Sequence, residues 1–264
     1  MTDPAPTKNA STASVIQKLR RDVTCLLMVT AFISAAELTP REIARKVAAR
    51  EAETEKARAQ YTYQQSLVLE EFDGRGRKGG IYTEAREVIF SPAGERSERF
   101  AKPAANHLTL LRMTEEDFAD LRDIQPMLLT TENLFHYDVR VRGDEAVDGL
   151  ECWLIEVKPK RFLAGQRFFQ GLLWADKQTY SVIRSEGQAV PPVVKTKNGE
   201  REENLFARFT TLRSRQAAGF WFPLHTFADD ELPFRTGAMR IRFNVRYQKY
   251  QRFGAQSTIT FENK

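Results

Sequence analysis

DGLECWLIEVKPKRFLAGQRFFQGLLWADKQTYSVIRSE, residues 148–186, is the stretch whose reading decides the fold. Three runs in it, Cys152 to Val157, Phe168 to Ala175 and Tyr180 to Arg184, are dense in β-branched, aromatic and large apolar residues. Pro159, Gly165 and the polar turn Asp176-Lys177-Gln178-Thr179 separate them, the pattern of consecutive antiparallel strands. In the first strand Trp153, Ile155 and Val157 share a face; in the second Phe168, Leu172 and Trp174 share one face, and Phe169 and Leu173 the other. A strand that is apolar on both faces, in an otherwise polar chain, requires a second layer or an apolar guest over it.

Working outward, Asp148-Gly149 makes a turn into this meander from a strand over Phe135 to Val141. Further upstream, alternation marks strands at Tyr61, Tyr63, Leu67 and Leu69 and from Ile81 to Phe90, joined by a basic Gly-rich loop from Asp73 to Gly80. Glu95 to Phe100 and Leu108 to Arg112 read as short strands, and Thr114-Glu115-Glu116-Asp117 opens a helix through Phe118, Leu121 and Ile124 towards Leu129. Near the start, Thr39 as N-cap, Pro40 at the first position and Glu42 three residues on form a capping box, with Leu38 and Ile43 as a hydrophobic staple. They predict a helix from Pro40 to about Arg58, whose thin stripe of Ile43, Val47 and alanines suits a place across a sheet edge or mouth.

Downstream, Pro191 to Glu203 reads as a polar loop. A hairpin over Leu205 to Leu212 and Phe220 to Phe227 turns at Ala217-Ala218-Gly219, and Pro223 implies a bulge or an edge. From Met239, Ile241, Phe243, Val245 and Tyr247 alternate with Arg240, Arg242, Asn244 and Arg246, a half-solvated strand. Thr258 to Phe261 closes the chain. The sum is about ten or eleven strands and two or three helices, a mainly β protein.

Composition excludes several classes. With 42 % hydrophobic and 28 % charged residues the chain is neither disordered nor an integral membrane protein. The net charge of +5 is spread along strands rather than clustered, which argues against nucleic acid as a partner. Residues 1–36 read as an export signal: a basic leader ending Lys18-Leu19-Arg20-Arg21, an apolar run from Val23 to Ile33, and the small residues Ser34-Ala35-Ala36 for cleavage after Ala36, with a retained inner-membrane anchor as the alternative. Removal of Cys25 with that segment leaves Cys152 as a single, buried cysteine and a mature domain, 37–264, that depends on its core.

The middle of the chain carries a family resemblance. Val147-Asp148-Gly149-Leu150-Glu151-Cys152-Trp153-Leu154-Ile155-Glu156-Val157-Lys158-Pro159, then Leu173-Trp174-Ala175-Asp176-Lys177-Gln178-Thr179-Tyr180, then Gly219-Phe220-Trp221-Phe222-Pro223 resembles the pattern of the outer-membrane lipoprotein carriers and sorting proteins, LolA and its LolB and RseB relatives. The order of export signal, amphipathic helix, aromatic-led strand and Gly-rich hairpin is similar as well, across most of residues 38–262. The resemblance implies an incomplete (half) β-barrel, a strongly curved antiparallel sheet with lid helices, working in the periplasm. It implies a carrier that holds lipoprotein acyl chains or another lipid on its concave face, or, as in RseB-like relatives, a sensor or scaffold that binds an inner- or outer-membrane envelope protein.

Catalytic chemistry finds no foothold. His107, His136 and His225 stand apart, no H-x-x-x-H, C-x-x-C, G-x-S-x-G or S-x-x-K occurs, and neither a cofactor nor a metal is expected. Gly74, Gly76 and Gly79 match G-x-G-x-x-G, but a strand rather than a helix follows them, so the loop is a basic hairpin and not a dinucleotide site. Asp229-Asp230-Glu231 reads as a solvated turn before Pro233. The candidates for lining an apolar cavity are Trp153, Phe168, Phe169, Leu172, Trp174, Trp221 and Phe243, each of which also suits ordinary core packing.

Overall fold

A computed structural model of the chain describes residues 38–91, 95–113, 117–118, 121, 129–163, 166–191, 193–197, 200–216, 218–234 and 237–252. The expected export signal and the closing strand at 258–261 lie outside these residues.

One helix, α1 (Pro40–Arg58), begins as its sequence dictates. Thr39 Oγ1 accepts from the Glu42 amide at 3.3 Å, and the Glu42 carboxylate accepts from the Thr39 amide at 2.8 Å. Those two bonds satisfy donors that a bare helix end leaves open, a contribution of about 1 kcal/mol. Ile43, Ala44, Val47 and Ala48 bury the thin stripe, with Leu38 packed beside them. The helix meets the edge strand Tyr137–Val147 and the central strand Trp221–Phe234.

The strands are β1 (Tyr61–Phe72), β2 (Lys78–Phe90), β3 (Arg96–Asn106), β4 (Tyr137–Val147), β5 (Leu150–Pro159), β6 (Phe168–Asp176), β7 (Val182–Val190), β8 (Val193–Lys197), β9 (Glu200–Asn204), β10 (Phe209–Arg215), β11 (Trp221–Phe234) and β12 (Gly237–Arg252). Ten of them form one antiparallel sheet in the order β3-β2-β1-β12-β11-β10-β7-β6-β5-β4, and β8 and β9 pair separately. The sheet is curved and does not close: β3 and β4 are its two edges. Register shifts interrupt six of its nine pairings, and each bulge bends and twists a strand. Gly171 and Gly187 face each other across β6 and β7. A Cβ on either would fall 2.1 Å or 2.3 Å from the opposite backbone oxygen, so only glycine allows this close approach.

Alternation decides what each face buries. On β1 every second side chain from Tyr61 to Glu71 is buried, and on β12 Ile241, Phe243, Val245 and Tyr247 are buried against their arginine-bearing alternates. The main core lies on this inner face. It runs from Tyr82 and Val88 of β2 to Tyr137 of β4, and takes in α1 and the helical residues Phe118 and Leu121.

Three expectations need correction. Leu108 to Arg112 is not a strand, because three of its amides turn onto one carboxylate, whereas a strand points successive amides to opposite sides. Pro191 to Glu203 is not all loop. Lys197 faces Glu200 across a hairpin, with only Asn198 and Gly199 between them, and Asn-Gly is itself a hairpin signal. Asp229 to Glu231 lies inside β11, where Asp229 pairs with Arg240 and Arg242 of β12. Of the two readings of Pro223 the bulge holds, since β11 is central and its register with β10 shifts there. Of the second expected helix, Asp117, Phe118 and Leu121 are helical; its other residues up to position 128 lie outside the described set.

Candidate functional site

The longer connections between strands gather at one end of the sheet. There β1, β3, β5, β7 and β11 finish and β2, β4, β6, β10 and β12 begin, as the pairs Phe72–Lys78, Tyr82–Asn106, Tyr137–Pro159, Phe168–Val190 and Phe234–Gly237 fix. At this mouth a half-open hollow of about 90 Å3, or about 580 Å3 with the open solvent at its entrance, sinks into the inner face. Its floor is Leu69 of β1, Leu232 of β11, and Ile241 and Phe243 of β12; Leu205, Phe206 and Ala207 form one wall, and Leu111, Met113 and Leu121 the other. Arg112 and Asp117 stand on its rim, and Phe234 completes the lining. The lining is apolar, as that of ligand sites usually is.

One buried carboxylate builds the second wall. Glu71, at the last buried step of alternation in β1, has no exposed surface. It accepts from the Thr109 amide, from the Thr109 hydroxyl at 3.1 Å, from the Leu110 amide at 2.9 Å and from the Leu111 amide at 2.7 Å. Consecutive amides wrapped around an anion make a concave cradle that balances the buried charge without a cation. The strap they form lies flat on β2: the His107 amide donates to the Ile81 carbonyl at 2.9 Å, and a Cβ at Gly80 would fall 2.0 Å from the His107 oxygen. Glu71 and Gly80 thus hold Leu111 and Met113 in place against the hollow.

The seven residues singled out from the sequence divide three ways. Phe243 lines the hollow. Trp153, Phe168 and Phe169 belong to the same inner core but are already partnered: Trp153 stacks on Tyr180 with ring centroids 5.3 Å apart, Phe168 meets Tyr137 at 6.0 Å, and Phe169 meets Phe209 at 5.9 Å. Leu172, Trp174 and Trp221 sit on the opposite face, in a small cluster with Cys152 and Ile183. There Trp174 donates from Nε1 to Glu145 at 2.9 Å and lies under the Arg184 guanidinium. The second covering that a two-faced β6 demands is therefore this outer patch. Leu111, Met113, Leu205 and Phe206 escaped notice because they stand in irregular segments, where no periodicity assigns a face; the apolar pairs Leu110-Leu111 and Leu205-Phe206 were the only signal.

Other chemistry has no support among the described residues. No group of three or more His, Cys, Asp or Glu is placed to hold a metal, and no helix is long and apolar enough to cross a membrane. His225 Nε2 is 3.0 Å from Asn244 Oδ1, and His136 packs between Phe135 and Phe168. Burial pushes the Cys152 thiol up to about 11, helped by Asp176 and Glu151, so it is no nucleophile at neutral pH.

No protein-family model and no curated protein matches the chain significantly. Solved structures do. A DUF1329 family protein from Desulfovibrio piger matches 85 % of this chain and 98 % of its own at 17 % identity, with a TM-score of 0.46. A LolA superfamily protein from Nitrosomonas europaea matches 86 % and 99 % at 11 % identity, TM-score 0.35. The Pseudomonas aeruginosa MucA/MucB complex matches 79 % and 99 % at 13 % identity, TM-score 0.24. The chain is similar to these solved structures at low identity, and the likeness is one of fold alone.

Proposed function

We propose that the protein is a carrier of the bacterial envelope that takes up the acyl chains of lipoproteins or another lipid in the hollow at the mouth of its sheet, acting in the periplasm after export directed by residues 1–36. The apolar hollow carries this reading. Its floor of Leu69, Leu232, Ile241 and Phe243 offers hydrocarbon to hydrocarbon, and each methylene moved there from water contributes about 0.8 kcal/mol. The wall of Leu111 and Met113, hung on Glu71, is the part that can yield to a longer chain while the sheet stays fixed. Native mass spectrometry of the protein purified from a membrane-containing lysate tests it: a lipid adduct is expected, and a clean apo mass after such a preparation contradicts it.

A second reading, a sensor or scaffold for an envelope protein, draws on the two edge strands. Among the described residues β3 and β4 each pair on one side only, and an edge can accept an extended peptide as a further strand. A crosslinked partner mapped to β3 or β4, with no lipid adduct, would favour it.

A further inference from the structure

Five large apolar residues are exposed among those described, and two of them share one corner of the mouth. Phe135, in the short 3-10 turn before β4, is 63 % exposed, and Phe162, in the loop after β5, is 55 % exposed. Backbone pairing joins the two loops: the Lys160 amide donates to the His136 carbonyl at 2.8 Å, and Lys160 Nζ donates to the Phe135 carbonyl at 2.9 Å. The ammonium of Lys160 therefore stands at the foot of one ring, and the exposed Arg161 adjoins the other. The corner and the hollow lie at the same end of the sheet, where Arg167, five residues past Phe162, lies over the ring of Phe206 in the hollow's wall at 4.6 Å. The remaining exposed residues are placed differently: Phe100 lies under Arg86, Leu224 is on a strand face, and Leu110 belongs to the strap.

We propose that Phe135, Phe162, Lys160 and Arg161 form a docking corner for the surface of an anionic lipid bilayer. Two aromatic rings that project from separate loops suit the interfacial layer of a bilayer, where a ring enters the acyl boundary and a cation at its base meets the headgroups. The cations fit negatively charged headgroups and not a neutral surface. Docking at this corner brings the mouth of the hollow to the bilayer, so the idea rests on the carrier reading for its purpose but not for its test.

Vesicle cosedimentation of the full chain decides it, with phosphatidylcholine mixed with phosphatidylglycerol against phosphatidylcholine alone. Phe135→Ser/Phe162→Ser is expected to weaken partition onto the mixed vesicles about tenfold or more, and Lys160→Gln/Arg161→Gln to weaken it on mixed vesicles only, with a loss that high salt reproduces in the parent protein. Both variants change exposed side chains and should keep the parent melting temperature. Unchanged partition of both variants overturns the proposal, as does a parent protein that ignores both vesicles, which would leave the corner to a protein partner. Both variants should still take up a soluble fluorescent fatty acid; a protein that docks through this corner yet takes up none would retain the docking site and lose the carrier reading.

Discussion

Replacing Glu71 with Gln keeps the size of the side chain and removes the anion at the centre of the strap. The carboxylate accepts four hydrogen bonds from Thr109, Leu110 and Leu111, two at Oε1 beyond the Thr109 amide and one at Oε2. An amide presents one oxygen and one NH2, so whichever way the substituted side chain turns, at least one backbone amide faces a donor. A hydrogen bond to a charged group is worth about 1.5–3 kcal/mol, and the strap is half-buried, so water recovers part of the loss. A net destabilisation of about 2 kcal/mol follows, or roughly 4–8 °C in melting temperature for a domain of this size. The local effect should exceed the global one: hydrogen exchange at the amides of Thr109, Leu110 and Leu111 should accelerate while those of β12 stay protected. Unchanged exchange at these three amides, or equal acceleration in β12, would refute the view that Glu71 holds the strap.

Glu51 of α1 and Arg213 of β10 form a buried pair at 2.8 Å and 3.0 Å, so Glu51→Ala alone should cost about 3–5 kcal/mol in denaturant unfolding, and Glu51→Leu/Arg213→Met should recover most of it; equal losses would argue against an uncompensated charge as the cause. In a Cys25→Ser background Cys152 should resist a thiol reagent at about pH 8 until denaturant is added, because its thiol is held up to about 11; rapid native labelling would contradict its burial. Desolvation raises Tyr247 and Tyr250 above the ordinary 10.0, and Tyr137 likewise, so each favours the fold below pH 10 and loses that contribution as the pH climbs further. Tyrosinate absorbance should therefore show fewer than seven tyrosines ionising near pH 10, the rest appearing with unfolding; a single seven-tyrosine titration there would contradict it.

Much of the architecture was legible because it is local or periodic. The capping box at Thr39 and Glu42 is a four-residue signal, and the helix it starts ends at Arg58 as the sequence predicts. The alternation of β1 and β12 gives faces as well as strands, since a period of two leaves only one way to bury Phe243 and Val245 together. The meander at 148–186 was readable for the same reason. The hollow was not, because its identity depends on long-range placement. Glu71 looks in sequence like the solvated end of a strand, and only the strap from positions 107–111 makes it a buried anchor. Trp174 and Trp221 have the composition of a binding wall, yet an even step along β6 puts Trp174 on the outer face with Leu172, and composition carries no information about which face turns inward.

The central claim is that the hollow on the inner face, and not the outer patch, receives hydrocarbon. Titration of the protein with a fluorescent fatty acid, compared across Met113→Trp in the hollow's wall and Trp174→Ala on the outer face, tests it most directly. Saturable one-to-one binding should be lost on filling the hollow and kept on trimming the outer patch. Binding that survives Met113→Trp and disappears with Trp174→Ala would contradict the account.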